Sequence, residues 1–156
     1  MSTQDQLLPG DCLLYRPSSV FGWAIAAFTL SKVSHVEIYK GGGISWASRD
    51  GIGVNEYSLR TEQLSHVLRA TKPLNVGAMA QCFDHLRGHG YDNGTIASFA
   101  TFGMFKSNVG QEVCSEFATI MFRVGGLKAL FSAKMPSEVA PNEFVKSNEF
   151  FNSRCA

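Results

Sequence analysis

No stretch of the 156 residues approaches the roughly 20 consecutive apolar positions that a membrane-spanning helix requires. The most apolar segment, Val20 to Leu30, is too short for that and reads as a buried helix, with a membrane-surface role as the alternative. The opening run MSTQDQLLPGD has neither a basic nor an apolar leader region, so no signal peptide is expected. A cytoplasmic location with reduced thiols is the default, with release at lysis left open. Charge of one sign is missing too: 14 Lys and Arg face 13 Asp and Glu, a net charge of +1. With no cluster of Lys and Arg interleaved with aromatics, nucleic acid is not an expected partner. The four cysteines, Cys12, Cys82, Cys114 and Cys155, form no C-x-x-C pair, so no zinc or redox site is indicated and no metal or cofactor is expected. Internal repeats, low-complexity tracts and linkers are also absent.

What is present is apolar bulk. Hydrophobic residues make up 45% of the chain and twelve are Phe, whereas charged residues reach only 17% against a usual figure of about 25%. A chain of this length forms one domain, residues 1–156, and buries about 68–70% of its unfolded surface without needing a staple.

The first half reads as strands. Pro9-Gly10-Asp11 is a turn before Cys12 to Tyr15, which Arg16-Pro17 closes. After the Val20 to Ser31 helix, the period becomes twofold from Val33 to Tyr39. Gly41-Gly42-Gly43 then makes a hairpin with Ile44 to Ser48. Arg49-Asp50-Gly51 is the next turn, and further strands run over Gly53 to Tyr57 and His66 to Ala70. The second half reads as helices: one capped by Asn75 and running to about Leu86, one from about Gly94 to Phe102, one from Glu112 or Val113 to Gly125-Gly126, and a last from Pro141 through Phe151. Strands followed by helices without strict alternation give an α+β class, a small antiparallel sheet packed against helices.

Two residues stand out chemically. Cys114 sits where the third of these helices begins, and unpaired backbone N–H groups there favour a thiolate and an adjoining oxyanion. A small buried hydrophobe is the alternative. His35 shares a strand face with Glu37 and Tyr39, opposite Val36 and Ile38, and a histidine so placed is able to pair with a thiol at the start of a packed helix. An ordinary hydrogen-bonded histidine is its alternative. His66, His85 and His89 are weaker candidates; the i, i+4 spacing of His85 and His89 lacks a third ligand.

These residues, with their neighbours, resemble the circularly permuted branch of the NlpC-type papain-like hydrolases, which includes the YaeF/YiiX-like proteins and is related to the lecithin retinol acyltransferase group; the resemblance implies a bacterial or phage source. The blocks Pro9-Gly10-Asp11 with Leu13-Leu14-Tyr15, Ser34-His35-Val36-Glu37-Ile38-Tyr39, Gly53-Val54, Tyr91-Asp92, Cys114-Ser115-Glu116-Phe117 and Pro141-Asn142-Glu143-Phe144, with Ser147 and Phe150, match in order. The resemblance implies a papain-like core with Cys114 as nucleophile, His35 as general base and then acid, and the Cys114 backbone N–H in an oxyanion hole. It also places Tyr91 beside the cysteine, although Tyr-Asp after Gly88-His89-Gly90 is equally good turn chemistry.

The chain departs from the family at the third triad position, which falls near Trp46 or Ala47, neither of which accepts an imidazole N–H. Ser48 is the first substitute and Ser45 the second, with a backbone carbonyl or water as the remaining choice. Glu37 is expected to influence the pKa of His35 only, two residues along one strand being poor geometry for a direct bond. The expected function is hydrolysis of an amide bond through an acyl-enzyme, with peptidoglycan fragments the substrate class implied by the resemblance. An ester or lipid acyl hydrolase or acyltransferase, with the Val20 to Leu30 helix and Phe99, Phe102 and Phe105 lining an acyl pocket, and a degenerate binding module are the alternatives. The sequence carries no expectation for the oligomeric state.

Overall fold

A computed structural model describes residues 6–17, 33–49, 52–88 and 113–153. The helices expected at Val20 to Ser31 and Gly94 to Phe102, together with Tyr91, His89 and Cys155, lie outside these residues. Within them the chain is α+β, built on a six-stranded antiparallel sheet. The strands are β1 (Cys12–Tyr15), β2 (His35–Gly41), β3 (Ile44–Arg49), β4 (Gly53–Ser58), β5 (Leu64–Ala70) and β6 (Phe150–Asn152), in the spatial order β4-β3-β2-β1-β5-β6.

The β2–β3 hairpin follows from its glycines. Gly42 and Gly43 take φ values of 60° and 75°, and positive φ at both central positions suits a tight two-residue turn whose twist matches the strands. That turn sets the register, pairing Ile38 with Trp46 and Tyr39 with Ser45. In β1 all four residues are buried, because this central strand is covered on both faces. On one face Leu14, Val36, Ile38, Trp46 and Leu68 belong to the main core. On the other, Leu13, Tyr15, Tyr39, Leu64 and Val67 form a smaller cluster with Leu7.

Two helices supply the cover for the main face. In α1 (Val76–Gly88), Asn75 caps the first turn, its Oδ1 accepting the Ala78 N–H at 2.9 Å, as expected of a side chain that satisfies an orphan donor. In α2 (Val113–Val124), every residue from Cys114 to Phe122 is buried. The helices are pinned to β3 by an aromatic stack: Trp46 lies on Phe83 of α1 at 5.4 Å, and Phe83 meets Phe117 of α2 edge-on at 6.5 Å. At the end of α2, Gly125 lets the helices close together, since a Cβ there would fall 2.7 Å from Met79 Sδ.

The carboxyl-terminal segment differs from expectation. A 3-10 turn at Pro136–Glu138 precedes a single-turn helix, α3 (Glu143–Lys146), and Ser147 leaves the helical region with φ −75° and ψ 135°. Phe150 then opens β6 opposite Ala70 rather than ending a helix. Its ring packs on Phe122 at 5.0 Å and Phe144 at 6.0 Å, and burying that aromatic surface outweighs continuation of a short exposed helix. The strand expected from His66 also begins earlier, at Leu64, where it pairs with Tyr15.

Candidate active site

The site forms where the start of α2 meets the start of β2. Cys114 occupies the second position of α2, where backbone N–H groups have no partner within the helix. It is 8% exposed and packs among core residues. The His35 ring hydrogen-bonds the Cys114 thiol, and backbone groups of Val36 and Ser115 bond the sulfur as well. Burial alone would raise the thiol pKa. The charge and hydrogen bond of His35, aided by those two backbone groups, outweigh it and leave the thiol below its ordinary value.

The other cysteines behave in the opposite way. Cys12, Cys82 and Cys114 are all free thiols. Burial and the charge of Asp11 push Cys12 well up, and burial alone lifts Cys82 to about 11. Among the described cysteines, only Cys114 has its ionisation favoured by its surroundings.

His35 sits at the start of β2 with its side chain 20% exposed. Its Nε2 lies 3.0 Å from Glu37 Oε1, so an ionised Glu37 accepts that N–H and Nδ1 remains for the sulfur. Burial would lower the imidazole pKa, but the Cys114 thiolate and the Glu37 carboxylate reverse this and hold it up at about 9. Glu37 is entirely buried. Burial would raise its pKa; the bond and charge of His35, the Ser45 hydroxyl and the charge of Arg49 bring it down to about 2. His35 therefore stands between a thiol whose ionisation it favours and a carboxylate that is charged at neutral pH.

The partners of Glu37 complete the arrangement. Ser45 Oγ donates to Oε2 at 2.5 Å. Arg49 donates to Oε1 through Nε at 3.0 Å and Nη2 at 2.7 Å, and Arg60 through Nη2 at 3.3 Å. The Arg49 guanidinium lies over the Tyr57 ring at 3.9 Å, and that of Arg60 over the Tyr15 ring at 4.9 Å.

Among the residues expected at the site, Cys114 and His35 come together. The group at the far ring nitrogen is Glu37 and not Ser48. A strand repeat separates residues i and i+2 by about 6.6 Å, yet the imidazole and the long Glu37 side chain lean toward each other and close the gap. Trp46 is a core aromatic stacked on Phe83, Ala47 is buried, and alternation places the buried Ser48 on the Trp46 face. Ser45 acts one step further out, on the carboxylate rather than the imidazole. Tyr91 lies outside the described residues. His66 is engaged on β5, with Ser65 Oγ 2.9 Å from Nδ1.

Arg49 and Arg60 were missed, although a signal existed. An acid within a strand otherwise rich in apolar residues needs cationic partners once both sheet faces are covered. Arg49, at the far end of the adjoining strand, was within reach. Among the described residues no group of three or more His, Cys, Asp or Glu is arranged to hold a metal ion, and no helix is long and apolar enough to cross a membrane. No protein-family model matches the chain, and no curated protein matches it significantly.

Proposed function

We propose that this chain is a cysteine hydrolase on a circularly permuted papain-like core, cleaving an amide bond in a peptide of the cell-wall type. The observation that carries the reading is the thiol of Cys114 at a helix start, bonded to a histidine whose far nitrogen meets a buried carboxylate. Nucleophile, base and orienter each have a partner that fits the role. The order along the chain, histidine strand before cysteine helix, agrees with the resemblance, as do the sheet and the packed helix.

In this reading the Cys114 thiolate attacks the carbonyl carbon, forming a C–S bond while the carbonyl π pair moves onto oxygen. Backbone N–H groups at the start of α2 stabilise that oxyanion. As the C–N bond breaks, the His35 imidazolium gives its proton to the departing amine and becomes neutral. Water then attacks the acyl-enzyme, with His35 taking its proton. The C–S bond breaks, the carboxylic acid leaves, and the thiolate and imidazolium are restored. Glu37 holds the ring in the orientation that both steps need. The carboxylate supplies an orienter for His35, which supports the catalytic reading over a binding-only one.

Offering muropeptides and p-nitrophenyl acyl esters to the purified protein in parallel, with Cys114→Ala as control, tests the assignment. Cleavage of the peptides that is lost in the variant is the expected result. Turnover of esters alone would refute the amidase reading, and turnover of neither would refute catalysis on these substrate classes.

A further inference from the structure

The Glu37 carboxylate serves more than one cation. Four N–H groups converge on Oε1 alone, from His35 at 3.0 Å, twice from Arg49 at 3.0 and 2.7 Å, and from Arg60 at 3.3 Å. Oε2 takes Ser45. A carboxylate oxygen offers about two lone-pair directions, so His35 competes with the guanidinium groups for the same acceptor. Both arginines stand no more than two hydrogen-bond lengths from Nε2, the ring nitrogen that meets Glu37.

From this geometry we infer that Arg49 and Arg60 are positioning residues that act through Glu37: they keep the carboxylate ionised and offset its pull on the His35 proton. The inference rests on the Cys114–His35 reading above. Its chemical purpose lies in the second half of the cycle. While Cys114 is a thiolate, His35 is stabilised as an imidazolium; once the sulfur is acylated that stabilisation is gone, and the ring must be neutral to take a proton from water. A buried carboxylate facing the ring alone would hold the proton in place. Two guanidinium groups on the same oxygen cancel part of that field while leaving the orienting bond intact.

Among the described residues, the groups that face His35 are Cys114 from α2, Glu37 on its own strand, Arg49 from β3, Arg60 from the segment after β4, and Tyr15 from β1, whose ring centroid is 6.0 Å away. Tyr15 stays neutral, since burial and the charge of Glu37 raise its pKa further. The sign of each substitution follows. Removing a cation disfavours the thiolate and favours the imidazolium, so both pKa values rise. Removing the anion lowers both.

Iodoacetate tests this on the intact protein. As an anionic alkylating reagent it reacts with the thiolate and is drawn by the imidazolium, so the rate at Cys114, followed by mass spectrometry, is bell-shaped in pH. Arg60 has the longest of these bonds and a side chain 35% exposed, so Arg60→Gln is the variant best placed to fold. Both limbs of its profile should move up by about half a unit to one unit, Arg60→Lys should restore them, and Glu37→Gln should move both down. Limbs that stay in place or move down in Arg60→Gln would overturn the inference, even with Cys114 alkylated selectively. A wild-type Cys114 that shows no bell and reacts no faster than the other thiols would overturn the underlying Cys–His reading as well. A merely structural loss would lower the rate at every pH without shifting the limbs.

Discussion

Glu37 is the residue on which the site depends most for stability. It carries a charge at a fully buried position, and such a charge is tolerable only with partners on its oxygens. Glu37→Gln would leave Arg49 and Arg60 facing a neutral amide and should destabilise the fold by about 3–5 kcal/mol, measured by chemical denaturation. The pH dependence has a definite sign. The folded-state pKa of Glu37 lies at about 2, below the ordinary carboxylate value, so its contribution is fully present above that ordinary value and fades as the pH falls toward 2. Thermal unfolding should therefore show a decline in Tm from about pH 4.5 downward. For His35, raised to about 9, the contribution is complete below its ordinary value near 6.5 and is lost as the pH rises through 9.

At the scale of elements, the close approach of α1 and α2 carries the position of Cys114. Gly125→Ala would set a methyl group 2.7 Å from Met79 Sδ and 3.3 Å from the Met121 carbonyl. Met79 is wholly buried and has little room to yield. A loss of about 1–3 kcal/mol is expected from overpacking, read as a lowered denaturation midpoint. Phe150→Ala should cost more, about 3–5 kcal/mol, because it empties a cluster shared with Phe122 and Phe144. A stability change within about 0.5 kcal/mol would show that β6 is peripheral. That strand also marks where the sequence was least legible. Pro141 followed by polar and apolar residues has the pattern of a helix start, and nothing local reveals that Phe150 pairs with Ala70, eighty positions earlier in the chain. The β2–β3 hairpin, by contrast, was legible because three glycines and a twofold period are both local signals.

Across the whole molecule, the same distinction separates what sequence conveys about the site from what it does not. Cys114 and His35 were readable because each carries its context with it, a helix start for one and a strand face for the other. Their meeting depends on α2 packing across β2 and β3, which no local signal in either segment conveys. Glu37 was visible on the correct face and was set aside on the strand repeat alone, a backbone measure that ignores how far two long side chains lean. Arg49 and Arg60 reach the carboxylate from two other elements, and only the sheet brings them there. The resemblance points to β3 for the group that orients His35, but Trp46 there is a core aromatic stacked on Phe83.

The measurement that bears most directly on the Cys114–His35 pair is the competitive alkylation of the free thiols at neutral pH by iodoacetamide, resolved by mass spectrometry. Because Cys114 is held below its ordinary pKa while Cys12 and Cys82 are raised, Cys114 should react at least tenfold faster than either, about one pKa unit of thiolate advantage. His35→Ala should erase that difference. Equal, slow labelling of Cys12, Cys82 and Cys114, unchanged in His35→Ala, would contradict the account.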